Sequence, residues 1–413
     1  MTEELWGDEF ISTYLTIADE ASIMNREIHV TSMLTLTGQA LRNVRINMKN
    51  QELDCRVHCM AIQRSGSGKD PAFNFMNKVG EAAGYNCAKI SSITSAALIG
   101  TVEKGGAIKY GAAHHSDIIA FKEASSIFYM AGNEHSKDLI NNINMCIDVG
   151  GHIRKELAHQ SEPIDYHTHI SLFGTTFPPV TKNIYIDSGL LPRMLITYKH
   201  INSDFYFKVV DWMFSNIGTG QSEAYGNLND LGHTLATIHR ETTNGFEFNF
   251  DDQRAAYSAI SATIKSIMGR YPVTMQERAE PFISRMAAYA LKLSCCYAAL
   301  DNLTPKIKAE HVTKANAVIG MSLTSILDFV SQHDIANSSE DMKKINMLKV
   351  IFANMKIKGQ MQTTTSDLFK AMYPNVSSVR ELNKHIETLE AMGEIKTEMC
   401  IVAEKVEKVV KIL

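Results

Sequence analysis

The sequence predicts a mixed α/β protein: a mostly parallel sheet covered by helices, preceded by a helical lead-in and followed by a small domain of three helices and a hairpin. Three observations predict it. Short apolar runs (Cys55–Gln63, Ile118–Phe121, Ile170–Phe173) alternate with helix-length segments, as a parallel sheet with crossover helices requires. The stretch Phe282–Leu300 is apolar and Ala-rich, the composition of a helix packed on several sides. A polar, small-residue segment, Ile335–Asp341, then separates this region from a C-terminal part with a different pattern.

Taken in order, Asp8 to about Ala40 has helical apolar spacing with a break near Asn25, and residues 1–45 form the lead-in. The core is assigned to residues 46–334. It opens with the strand Cys55–Gln63, a Gly/Ser turn, and a helix from about Pro71 to Ala83. Proline suits a first helical turn, where its missing N–H has no partner to lose. Ile118–Phe121 and Ile170–Phe173 are buried strands, and Leu190–Tyr198 is a helix end running into a strand. Phe205–Thr242 and Asp251–Asp301 read as helical and form a lid. The last domain, 335–413, has helices over Lys343–Met355, Ser366–Tyr373 and Val379–Met392, then a hairpin, which is a winged-helix pattern.

At 413 residues the chain suits two or three domains, taking ~100–200 residues for each. With 45% hydrophobic and 21% charged residues it is an ordinary globular composition, not a disordered one. No apolar run approaches the roughly 18–20 residues of a membrane span. The acidic start, Met1 to Glu9, carries no secretory leader, so a cytoplasmic location without membrane association is expected. The seven cysteines are odd in number and contain no CxxC pair, which argues against zinc and against a disulfide framework. Cys55 and Cys59 read as buried thiols. The formal charge of −4 excludes a protein that simply coats nucleic acid; any DNA contact must come from local basic loops or from a ring that concentrates them.

The strongest motif is Gln63-Arg64-Ser65-Gly66-Ser67-Gly68-Lys69-Asp70, between a predicted strand and a predicted helix. That is the setting of a phosphate-binding loop. Gly66 and Gly68 allow the tight turn, the backbone of Ser65 to Asp70 offers N–H groups to phosphate oxygens, and Lys69 reaches the β- and γ-phosphates. Two positions depart from GxxxxGK[S/T]: Gln63 replaces the first glycine and Asp70 the hydroxyl residue.

The motifs that follow resemble those of minichromosome maintenance (MCM) helicases, members of the AAA+ class of P-loop ATPases, in the same order. Ser91-Ser92-Ile93-Thr94-Ser95 leads into Glu103-Lys104-Gly105-Gly106, like the segment before a small MCM hairpin. Gly111 to Glu123 resembles the approach to Walker B, Ile170 to Thr176 the sensor 1 strand, and Leu190-Leu191-Pro192-Arg193 the arginine-finger segment. Arg278 and Arg285 resemble the sensor 2 arginines, and Ala309 to Ala315 the short helix after them. The chain is also similar to helicase-like ATPases of phages, plasmids and archaeal mobile elements. The likeness spans about residues 8–330; the zinc-bearing N-terminal half of cellular MCM proteins has no counterpart.

The resemblance implies an ATP- and Mg²⁺-dependent motor. Glu123 would be the catalytic glutamate, Thr175 or Thr176 would hold the attacking water, and Arg193 would act on a neighbouring subunit's nucleotide in a homo-hexameric ring. Lys122 stands where the Walker B aspartate belongs, so the charges of Asp70 and Lys122 look exchanged. Either Asp70 takes over the metal while Lys122 pairs with it or with the phosphates, or the site binds nucleotide and hydrolyses it poorly. His114-His115, on an expected strand, point to opposite faces and make a weak metal motif. The first pore hairpin would offer Lys104 and Lys109. The second, around Gly150 to Lys155, would offer Arg154 and Lys155, gripping single-stranded DNA without reading sequence. In the winged helix, Arg380, Lys384 and His385, with Lys396 on the wing, would meet DNA, or the domain would dock a protein. The expected function is a DNA helicase or translocase for viral or mobile-element replication, working beside an initiator or primase. A nucleotide-controlled assembly factor is the alternative, and a small-molecule kinase a third reading.

Overall fold

The computed structural model describes residues 9–412 except 23–24, 49–50, 104–106, 126, 128–136, 157–162, 178–188, 200–202, 219–222, 272, 338–339, 358, 374, 392–394 and 403–404. The chain divides into two compact units, residues 1–330 and 331–413. Among the described residues no helix is long and apolar enough to cross a membrane.

The first unit is built on a five-stranded parallel sheet. Its strands are β1 (Cys59–Ile62), β2 (Cys87–Ile90), β3 (Ile118–Phe121), β4 (Ser171–Thr176) and β5 (Leu195–Tyr198), in spatial order β5-β1-β4-β3-β2. Phe173 pairs with Cys59 on one side and Ala120 on the other, and Leu195 also faces Cys59; Ile62 faces both Thr176 and Tyr198, so β1, β4 and β5 end level. Strands β1, β3 and β4 are buried at every position, the signature of a sheet covered on both faces. Edge strand β2 is only partly covered.

The apolar run expected as one strand from Cys55 to Gln63 is shorter: only Cys59–Ile62 joins the sheet, and residues 55–58 link it to a separate hairpin in which Gln51–Asp54 pairs with Arg45–Met48. The reason is Arg56, fully buried, whose guanidinium turns to the Asp54 carboxylate and to three backbone carbonyls.

The lead-in forms helices Glu9–Ala21 and Arg26–Ala40, with the break at Asn25 as expected. The second is buried from Ile28 through Ala40 and shares the core of the first unit, so it is not a separate domain. Helix Lys69–Ala82 packs beside it, with helix Leu228–Thr242. A Cβ on Gly232 would come within 2.5 Å of Ala82 Cβ and 2.7 Å of Val79 O, so the absence of a side chain sets how close these helices lie. Val273–Leu300 is one long helix, buried at every position from Tyr289 through Ala299, Lys292 and Ser294 included.

The helix Ala309–Asn337 runs on into the segment expected as the linker, and the next helix begins at Glu340. The second unit has helices Glu340–Ile357, Thr365–Met372 and Val379–Ala391 and a three-stranded antiparallel sheet. The long hairpin Ile395–Val402 with Lys405–Ile412 supplies two of its strands, and Gln362–Thr364 the third. Leu348, Leu368, Leu382, Ile386 and Val410 form its own core.

Candidate functional site

The C-terminal ends of β1, β3 and β4 meet at one edge of the sheet, where open α/β sheets bind ligands. The loop from Gln63 to Gly68 leaves β1 there. Gly66 (φ 74°) and Gly68 (φ 80°) both take the left-handed conformation, which only glycine adopts without strain, and Gly68 caps the helix that starts at Lys69. The Lys69 ammonium donates to Gln63 O (2.9 Å) and Thr176 O (3.3 Å) and lies 4.2 Å from the Phe177 ring centre. Burial lowers the Lys69 pKa, while the negative charges of Glu123 and Asp70 oppose the shift. The ammonium is thus desolvated and held by carbonyls and a ring face, beside a loop shaped for anions.

Glu123 follows β3. Its carboxylate accepts from Ser125 N–H and from the Thr176 hydroxyl, both at 3.0 Å. The two threonines therefore differ. Thr176 hydrogen-bonds the glutamate, whereas the Thr175 hydroxyl donates to the backbone oxygen of Lys122 and ties β4 to the end of β3. Asp70 and Lys122 form an ion pair at 3.6 Å, with both side chains more than half exposed.

Asn25, at the break between the lead-in helices, donates to the Gln63 side chain (2.6 Å) and lies 3.3 Å from Ser67 O. It is nearly fully buried. Sequence reading missed it: a lone asparagine at a helix break carries no local mark of a contact 42 residues away. Gln63, the departure from the glycine pattern, is what Asn25 grips.

These groups open on a cleft of about 690 Å³, within the range of ~300–1,000 Å³ for small-molecule sites. Ser65, Gly66, Gly68, Lys69, Asp70, Lys122 and Glu123 line it. Ser67 does not; its side chain is buried behind the loop. Helix Ser203–Ser215 lies across the cleft, contributing Val209, Trp212 and Met213. A cleft of this volume, with left-handed glycines and a desolvated lysine, could hold a nucleoside triphosphate, and the oxygens of Asp70 and Glu123 are of the type that Mg²⁺ takes.

Arg193 and Arg285 do not line the cleft. Arg193 ends the turn Leu191–Arg193 before β5, at the opposite edge of the sheet, and donates to Asp148 (2.8 and 3.3 Å) and Gly189 O (2.8 Å). Arg285 is exposed on helix Val273–Leu300, one turn before Tyr289, whose hydroxyl donates to Arg193 O. Arg278 lies on the same helix, and its side chain is outside the described residues.

Both expected hairpins exist. Gly100–Val102 pairs with Ile108–Tyr110; Lys109 is exposed and lies 3.9 Å from Glu103, and Lys104 is outside the described residues. His152–Lys155 pairs with Ile164–His167, so Gly150 to Lys155 is one arm and its base, and the tip falls beyond Lys155. Arg154 is paired with Glu156 (2.9 Å) and Asp165 (3.7 Å). His114 and His115 sit in a helical turn, Ala112–His115, rather than a strand. In the second unit Arg380 and Lys384 are exposed on helix Val379–Ala391, but His385, expected beside them, is buried in that unit. Lys396 lies 4.0 Å from Glu398.

Among the described residues one cluster has metal-ligand composition: Asp301, Glu310 and His311. His311 Nδ1 accepts from Lys308 N–H (3.1 Å), which leaves the proton on Nε2, facing Asp301 at 3.2 Å. Lys308 Nζ also holds Asp301 at 3.0 Å, so hydrogen bonds satisfy the cluster.

All seven cysteines are free thiols, and burial pushes those of Cys59 and Cys146 up to about 12. Compared with known proteins, the chain matches no family model and no curated protein.

Proposed function

We propose that this protein is an MCM-like AAA+ ATPase that drives a DNA helicase or translocase, with ATP and Mg²⁺ as its cofactors. One observation carries the nucleotide part: Lys69, Glu123 and Thr176, drawn from three different strand ends, meet around a loop with two left-handed glycines. Lys69 would exchange its carbonyl partners for phosphate oxygens. Glu123, held by Ser125 N–H and Thr176, would orient a water. Asp70 would take part in holding the metal, which supplies charge neutralisation between phosphates. Arg193, remote from its own cleft and close to the opposite sheet edge, would leave Asp148 to reach an adjoining protomer's nucleotide in a ring. Two hairpins with basic arms support the DNA part, and the three-helix, long-hairpin unit suits a winged helix that meets DNA or a replication partner such as an initiator or primase.

The Asp70–Lys122 ion pair favours a second reading, a nucleotide-controlled assembly factor with slow turnover. Its carboxylate stands beside the expected phosphates and its ammonium is already engaged. ATP hydrolysis by the purified protein, with and without Mg²⁺ and single-stranded DNA, tests the two. The motor reading expects Mg²⁺-dependent, DNA-stimulated turnover that Lys69→Ala and Glu123→Gln abolish. Nucleotide binding with negligible turnover selects the second reading. A monomer that binds no ATP under any metal condition refutes both.

A further inference from the structure

Beside its charged groups the cleft has an apolar part, lined by Val209, Trp212 and Met213 on helix Ser203–Ser215 and by Ala21 and Phe75. That helix lies on the phosphate loop: a Cβ on Gly66 would be 3.1 Å from the Tyr206 ring. Its inward stripe, Phe205, Tyr206, Val209, Trp212 and Asn216, is half-buried, while Phe207 and Phe214 on the outward side are 66% and 69% exposed. An inward stripe that stops at half burial leaves room for a planar ligand beneath it. Among the described lining residues, two polar side chains adjoin Ala21 and Phe75 in sequence: the Ser22 hydroxyl gives its proton to Ala18 O (3.2 Å), and Asn74 is exposed and so makes no desolvated reader of base edges.

We infer that the apolar part of the cleft is a nucleobase subsite in which Trp212 stacks on the base, and that it accepts purine nucleotides with little discrimination between adenine and guanine. This rests on the cleft's reading as a triphosphate site. Every base has a π-face, so an aromatic wall without hydrogen-bond readers holds bases by area rather than by identity. The larger purines gain more from it than pyrimidines.

The chain has two tryptophans, Trp6 and Trp212, so a Trp6→Phe background makes Trp212 the sole fluorescent reporter. ATP and GTP are expected to quench it alike, with affinities within about threefold of each other, and CTP to bind more weakly; inorganic triphosphate should bind without quenching. Trp212→Ala should weaken ATP and GTP by roughly 10- to 100-fold, the range of base–aromatic stacking, and leave triphosphate affinity unchanged, while Trp212→Phe restores most of the loss. Three results overturn the subsite alone: ATP binding to Trp212→Ala as to wild type, equal loss for ATP and triphosphate, or a strong preference for one purine. If wild-type protein binds neither ATP nor triphosphate, the phosphate-loop reading falls with it.

Discussion

Replacing Arg56 with alanine should unfold the first unit or bring it to the brink. Arg56 is fully buried and Asp54 is 1% exposed. The guanidinium donates to Asp54 Oδ2 from two nitrogens (2.9 and 2.6 Å) and to the carbonyls of Cys146, Ile170 and Asp148 (3.1, 2.9 and 2.8 Å). In the variant the Asp54 charge stays buried with Lys292 (3.2 Å) as its remaining cationic partner. Breaking a buried pair in this way costs ~3–5 kcal/mol. The Cys146 and Ile170 carbonyls add about 1 kcal/mol each, whereas Asp148 O keeps the Gly151 N–H. The sum is roughly 5–7 kcal/mol, against a typical domain stability of ~5–15 kcal/mol. Arg56→Lys keeps the charge but not the fork, and should fall between. Urea denaturation followed by far-ultraviolet circular dichroism measures both. An Arg56→Ala protein within about 1 kcal/mol of wild type would refute the claim that this network holds the base of the sheet.

The same network predicts acid sensitivity. Burial raises the Asp54 pKa, but Lys292 and Arg56 outweigh it and hold the carboxyl well below its ordinary 3.8. A depressed folded value means that its stabilisation is complete above pH 3.8 and is lost as pH falls from there through the folded value; Asp54→Asn should flatten that part of the stability–pH curve. Gly232→Ala should cost ~1–3 kcal/mol by forcing Leu228–Thr242 away from Lys69–Ala82, readable as a lower thermal midpoint. Asp70→Ala should reduce Mg²⁺-dependent ATP turnover roughly tenfold or more; unchanged turnover would end its role at the metal. Lys155→Ala should weaken single-stranded DNA binding and reduce the salt slope of the binding constant by about 1, in a titration at several ionic strengths.

The sheet was legible because strands buried on both faces leave unbroken apolar runs, as at Ile118–Phe121. Length misled where polarity was absorbed by tertiary contact. Arg56 interrupts Cys55–Gln63 only because distant carbonyls wait for it, and Ile335 to Asn337 continue a helix despite a loop-like composition. The strand-to-helix turn was legible from Gly66, Gly68 and Lys69. The ion pair between Asp70 and Lys122 had its trace in the exchanged signs. Asn25, Phe177 and Trp212 left none: each reaches the site through the fold, although a tryptophan in a chain that has two is a marker worth following. His385 misled because helical spacing was read as one solvent face, when the helix presents that position to its own core.

The helix Arg26–Ala40 is sheathed in protein along almost its whole length, and Asn25 just before it is the strut beneath the loop. A version of this chain trimmed to begin at β1 would lose Ile28, Val30, Met33, Leu34 and Leu36 from the core, bare to water the apolar side chains packed against them, and leave the loop unmoored. The opening forty residues are therefore masonry, not ornament: shortening the protein from the front dismantles its pocket while the loop from Gln63 to Gly68 is still present in the chain.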